Sequence, residues 1–226
     1  MGLPINCEDF ILFRPFLSYR TNANIALLKG EEPVIFDVGT PFNPGALKFK
    51  NYLTTKKISC NSVRYIIISH GHQDHFQDLP SFRYSFPKAS ILCHKSDLDA
   101  ILHPFYFQQS WKDALKQKGW KKPVIFSYEL FFETLSPFYF KNISGVNRVD
   151  YLVEDEQLVG KNPQVKVIHT PGHSNGHISL LDNKGNLFLA DFVPFTPWIE
   201  PHEKAIDNML QSIEKIVKIL KYKAKK

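Results

Sequence analysis

Cysteine is scarce. Cys7, Cys60 and Cys93 are scattered along 226 residues, with neither the paired spacing of a thiolate zinc knuckle nor the even count of a disulfide scaffold. That usage fits a reducing compartment. The amino terminus, Met-Gly-Leu-Pro-Ile-Asn-Cys-Glu-Asp, lacks a basic region followed by a long apolar segment, and Gly2 is not followed by Ser or Thr where a myristoylation signal requires one. No apolar run is long enough to cross a bilayer. A cytoplasmic protein with no membrane partner is therefore expected. An arginine-rich patch with interleaved stacking aromatics is also missing, which argues against nucleic acid as a partner despite a net charge of +6 and a pI near 9.1. Part of that surplus sits in Lys215, Lys218, Lys221, Lys223, Lys225 and Lys226, so it says little about a cleft.

What the chain does contain is an apolar core of ordinary size, at 43% hydrophobic residues, with no break in composition. A single domain over 1–226 is expected. Its most informative stretch is Tyr65-Ile-Ile-Ile-Ser-His-Gly-His-Gln-Asp-His-Phe76. The apolar run reads as a buried strand, and it delivers His70, His72, Asp74 and His75 within six positions. On a regular strand these four would scatter over two faces, whereas a short loop turns them toward one point. Nitrogen and oxygen donors gathered by a rigid element make a metal site.

Elsewhere the pattern predicts strands over Asn24–Leu28 and Pro33–Phe36, a helix over Ala46–Thr55 with Leu47, Phe49 and Leu53 at helical spacing, and a short helix over Leu79–Phe86 with its aromatics facing inward. Val149–Val153 and Leu158 read as a strand pair. Val165–Ile168 reads as a strand ending in His169-Thr-Pro-Gly-His173-Ser-Asn-Gly-His177, and a hairpin follows whose second strand ends at Asp191. From Lys204 onward, Ile206, Met209, Leu210, Ile213, Ile216, Val217 and Leu220 form one apolar helical stripe expected to face the core. Residues 103–148, dense in Phe, Tyr and Trp, read as an insertion that fills a satellite core or forms a lid or wall of a substrate cleft. Asp37, at the end of a strand, either caps its turn or orients a ligand from behind.

Six donors, His70, His72, Asp74, His75, His173 and Asp191, thus converge at one edge of a sheet. Their order, His70-x-His72-x-Asp74-His75, then Thr170-Pro171-Gly172-His173, then Leu-Phe-Leu-Ala-Asp191, resembles the metallo-beta-lactamase superfamily. The wording is nearest its glyoxalase II and lactonase-like branches. The resemblance implies an α+β fold, a four-layer αββα sandwich of two mixed sheets with metal at one edge. It also implies that His70, His72 and His173 hold a first ion, that Asp74 and His75 hold a second, and that Asp191 bridges both.

Zinc, one or two ions per chain, is the cofactor so implied, with iron as the alternative. Asp74 would also orient a metal-bound hydroxide for attack on an ester, thioester or lactone of a small, anionic metabolite. His177 would contact substrate. The family's further histidine, in a Pro-Gly-His segment after the last long helix, has no counterpart before Lys226. From that departure follow a sandwich short of its last strand, a weaker second ion, His202 as a substitute ligand, and a homodimer through the exposed sheet edge. Three other readings stand beside hydrolysis of a small metabolite: an iron-dependent sulfur dioxygenase on His70, His173 and Asp191, a metal-stabilised interaction protein without activity, and a phosphodiesterase or nuclease.

Overall fold

The computed structural model describes residues 4–13, 23–41, 45–104, 146–192 and 204–223. His202 and residues 105–145 of the aromatic segment lie outside the described residues. Two sheets stack face to face. The first runs in sequence order, β1 (Ile5–Asn6), β2 (Phe10–Phe13), β3 (Ile25–Leu28), β4 (Val34–Phe36), β5 (Tyr65–Ile67), β6 (Ser90–His94) and β7 (Tyr151–Val153). Pairing is antiparallel from β1 to β4 and parallel from β4 to β7. The second sheet has the order β11 (Leu187–Phe188), β10 (Ile178–Asp182), β9 (Val165–His169) and β8 (Leu158–Val159), and is antiparallel throughout rather than mixed.

The layering follows from side-chain alternation on strands that are apolar on both faces. One face of the first sheet, including Leu27, Ile35, Ile66 and Ile91, packs on Phe49 and Leu53 of α1 (Gly45–Thr55) and, past the single turn α2 (Gln73–Phe76), on Phe82 of α3 (Leu79–Ser85). Ile101 of α4 (Leu98–Leu102) joins the same cluster. The other face, Ala26, Leu28, Val34, Phe36, Ile67 and Leu92, packs on Val165, Val167, Ile178 and Leu180 of the second sheet. A third cluster joins Ile168 of that sheet to Met209 and Ile216 of α5 (Ala205–Lys223). Helix, sheet, sheet, helix is the αββα sandwich, and no helix among the described residues is long and apolar enough to cross a membrane.

Four local expectations need correction. The predicted pair around residues 149–158 is split: β7 joins β6 in the first sheet, while β8 joins β9 in the second. Leu47 is 70% exposed and Tyr84 also faces out, so neither belongs to its helix's inner face. The second hairpin strand stops at Phe188, and Asp191 sits instead on a tight 3-10 turn, Ala190–Phe192. Finally, the stripe on α5 divides in two. Ala205, Met209, Ser212 and Ile216 are buried, whereas Ile206, Leu210, Ile213, Val217 and Leu220 are exposed. Both sets repeat at spacings of four and three, so period alone could not choose between them.

Candidate metal centre

Because β4, β5 and β6 are parallel, their carboxyl ends open at the same edge, and each contributes a polar residue there: Asp37 after β4, Ser69 and His70 after β5, Asp97 after β6. The second sheet meets this edge directly. The backbone N–H of Ile178, at the start of β10, donates to the carbonyl of Ser69 at 2.8 Å. That contact brings the loop between β9 and β10, with His173 and His177, over the loop that follows β5.

His70 Nε2, His72 Nδ1 and His173 Nε2 form a triangle with sides of 2.9, 2.9 and 3.2 Å. A proton on one ring nitrogen bonds only one neighbour well, so three nitrogens facing one point leave lone pairs opposed. A divalent cation at the centre satisfies all three. The sides are also close to the ~3.3 Å edge of a tetrahedron with arms of about 2.0–2.1 Å, the usual zinc to nitrogen length. Burial, reinforced by the neighbouring rings, holds the pKa values of His70 and His72 well below the ordinary histidine value, which keeps them in the neutral form that binds metal.

A second cluster, His70, His75 and Asp191, shares one histidine with the first. Asp74 and His75 lie on the helical turn α2, not on the open loop that their spacing suggested. His75 Nε2 is buried without a hydrogen-bond partner, and it faces the carboxylates of Asp191 at 3.4 Å and Asp74 at 3.8 Å. Asp191 also approaches His173 Nε2 to 3.8 Å, which puts it between the two clusters. Burial pushes the His75 pKa down, but Asp191, Asp37 and Asp74 more than offset it and hold it well above the ordinary value. Conversely, Asp191 is held well below the usual carboxylate range: burial raises it, and His75, His173 and His177 outweigh that cost.

The rings are aimed by groups behind them. Asp37 is buried, accepts from the Ser69 backbone N–H at 2.8 Å, and accepts from His75 Nδ1 at 2.8 Å. Ser69 Oγ donates to the same carboxylate at 2.9 Å and accepts from His70 Nδ1 at 2.9 Å. With a proton on Nδ1 alone, each Nε2 turns a lone pair toward the centre, the form a bound cation would select for His75 over the imidazolium that its carboxylate neighbours favour. Asp37 adopts a positive φ of 61°, a conformation that Asp tolerates better than most residues.

Asp97 escaped the sequence reading. It is buried between the two ligand loops, accepting from Gly71 N and Ser174 Oγ through one oxygen and from Gly176 N through the other, all at 2.7 Å. Burial raises its pKa against the pull of these donors. A Cβ on Gly176 would meet the Asp97 carboxylate at 2.5 Å, which explains the glycine. The lone signal in the sequence is that a Gly follows two positions after Ser174 and another separates His70 from His72.

His177, expected to contact substrate, is fully buried. Its Nδ1 meets Thr170 Oγ1 at 2.9 Å, its Nε2 has no partner, and its ring packs 5.1 Å from that of His70. His169 ends β9 and stacks on His94 at 4.0 Å, with its Nε2 donating to the Asn175 carbonyl. Burial and that neighbour push His94 down to about 4. The pair braces the loop from outside the clusters.

Comparison with known proteins gives this geometry its context. The profile of the Metallo-beta-lactamase superfamily matches residues 19–219. The chain belongs to that superfamily. Among solved structures, a metallo-beta-lactamase family protein from Thermus thermophilus aligns with a TM-score of 0.71 at 17% identity, over 94% of this chain and 71% of that one. The subclass B3 metallo-beta-lactamase BJP-1 of Bradyrhizobium japonicum aligns at 0.65 and 14%, over 94% and 72%. A metallo-beta-lactamase from Cronobacter sakazakii with a HARLDQ motif aligns at 0.62 and 16%, over 94% and 75%. At such identities these structures speak to the metallo-beta-lactamase fold alone. No curated protein sequence matches the chain significantly.

Proposed function

We propose that the chain is a metal-dependent hydrolase of an ester, thioester or lactone, allied to the glyoxalase II and lactonase-like branches of its superfamily. His70, His72 and His173 would hold one ion, and Asp74, His75 and Asp191 would hold a second, with Asp191 beside both. The observation that carries this reading is the three-histidine triangle, closed to 3.2 Å by residues from both sheets and adjoining a carboxylate-bearing cluster. Bound metal supplies a lowered water pKa and draws charge from the carbonyl oxygen. The chain's own groups do the rest. Asp74, a third exposed beside His75, orients water and takes its proton. Asp37 and Ser69 keep the His75 and His70 rings from turning, and Asp97 holds the two loops in register.

The test is elemental analysis of chain purified without added metal, followed by turnover of ester, thioester, lactone and phosphodiester panels. Zinc near one or two ions per chain with hydrolysis of an acyl substrate is expected. A metal-free chain, or a loaded one inert on every panel, overturns the proposal. A second reading, the mononuclear iron that consumes oxygen, is kept by one observation: a two-histidine, one-carboxylate set is gathered, although it is His70, His75 and Asp191 rather than the expected His70, His173 and Asp191. One iron per chain with oxygen uptake on a persulfide substrate would favour it.

A further inference from the structure

Helix α5 carries two apolar faces, and the fold buries one of them. The core side is fully engaged: Ser212 Oγ donates to the Pro171 carbonyl at 2.8 Å, and Met209 lies so close to Gly172 that a Cβ there would meet its Cα at 2.7 Å. Ile206, Leu210, Ile213, Val217 and Leu220 are left outside, 39–66% exposed. Their steps of four, three, four and three are those of a coiled-coil seam, so they stay in one row for about 21 Å of helix. Together they uncover roughly 450 Å² of apolar surface, a patch of the size that marks an interaction site. Asp207, Glu214 and Lys221, spaced by seven and exposed, form a column along the solvent side of the row. Met209 and Ile216, also spaced by seven but buried, border it on the core side.

We infer that this row pairs with the same row of a second copy, the two helices running antiparallel, so that the protein is a homodimer through α5. This is not the sheet edge expected from residue order, and it stands apart from the hydrolase reading. Charge selects both the partner and the direction. Acids come first along the helix, Asp207 and Glu214, and bases follow, Lys215, Lys218 and Lys221. A two-fold axis at Ile213 sets Ile206 against Leu220 of the second copy and Leu210 against its Val217, and it places each Asp207 opposite a Lys221. The two Glu214 meet near the axis with Lys218 one turn away on each helix. A parallel pair would instead set Lys218 and Lys221 of both copies side by side. Acids in the bordering column also distinguish this helix from one that lies on an anionic membrane, whose polar border is basic. Two copies cover roughly 900 Å² between them, at the low end for a specific interface, so monomer and dimer exchange at micromolar concentration.

Sedimentation velocity of the purified chain from about 1 to 100 µM tests the pairing. The sedimentation coefficient should climb from monomer to dimer across that range. Ile213→Glu sets two further carboxylates at the axis and should weaken pairing by more than about 100-fold, leaving monomer throughout. Because Ile213 is exposed in the single chain, the Tm of the dilute protein should stay where it is. Asp207→Lys should weaken pairing about tenfold, and Asp207→Lys combined with Lys221→Asp should restore it, which neither a parallel pair nor a non-specific apolar contact would do. Monomer at every concentration overturns the inference, including the case in which that monomer floats with phosphatidylcholine vesicles containing phosphatidylserine. A dimer that I213E leaves intact, or a charge exchange that restores nothing, overturns it as well.

Discussion

The two candidate metal clusters share His70 and are built to different standards. The first is closed on itself: three ring nitrogens within 3.2 Å, buried or nearly so, with ligands from both sheets tied by Asp97. The second is open. Its contacts spread to 3.4 and 3.8 Å, and the side chains of Asp74 and Asp191 are 34% and 43% exposed. Geometry set by packing on two sides is rigid, whereas geometry set on one side leaves room for water and substrate. The expected consequence is a tight, permanent first ion and a second one that exchanges.

The largest effect that would break this contrast is loss of a triangle ligand. His173→Ala should lower affinity for the first ion by more than about 100-fold, since even outer partners cost 10–100-fold, and activity should fall to background. Competition against a chromogenic chelator reads it, and equal losses from His75→Ala in both ions would erase the distinction drawn between the clusters.

Next comes Asp97→Ala, which orphans three buried donors. It should cost about 3 kcal/mol or more, lowering Tm by roughly 6–12 °C for a chain of this size, and should loosen the first ion before the second. Calorimetric melting with and without metal measures both. An unchanged Tm would deny Asp97 its bracing role.

Asp37→Asn sharpens the comparison from the other side. Removing the carboxylate that aligns His75 directly, and His70 only through Ser69, should weaken the second ion about tenfold and the first by less. A two-site metal titration shows which ion moves.

The smallest effect belongs to a control remote from both clusters. Burial pushes Asp150 up, but the Ile91 N–H and the Arg83 and Arg148 guanidinium groups outweigh it and hold its pKa below the ordinary value. A depressed carboxyl contributes stability above its unfolded pKa, and that contribution is lost as pH falls through the folded pKa. Asp150→Asn should therefore cost about 1 kcal/mol or less at neutral pH, with the difference from the parent shrinking in acid and metal occupancy unchanged. A melting series from neutral to acidic pH checks the sign.

Most of the donors that the fold gathers were legible from residue order. His70, His72, Asp74 and His75 announce themselves because no packing or capping role needs such donors together, and His173 and Asp191 follow apolar runs that read as strands. Asp97 was hidden. It stands in Lys95-Ser96-Asp97, an ordinary helix entry, and its partners Gly71 and Gly176 lie 26 and 79 residues away. Ser69 was hidden for the same reason, since a hydroxyl carries no signal until its neighbours are known.

Residue order specified the candidate donors, the strands that precede His70 and His173, and the amphipathic character of the last helix, because each is written in local spacing. Tertiary structure alone decided which of two equally spaced stripes on α5 meets the sheet, that β7 and β8 part into different sheets, and that Asp97 ties the ligand loops together. Those outcomes depend on which distant surfaces meet, and spacing along one chain does not encode that.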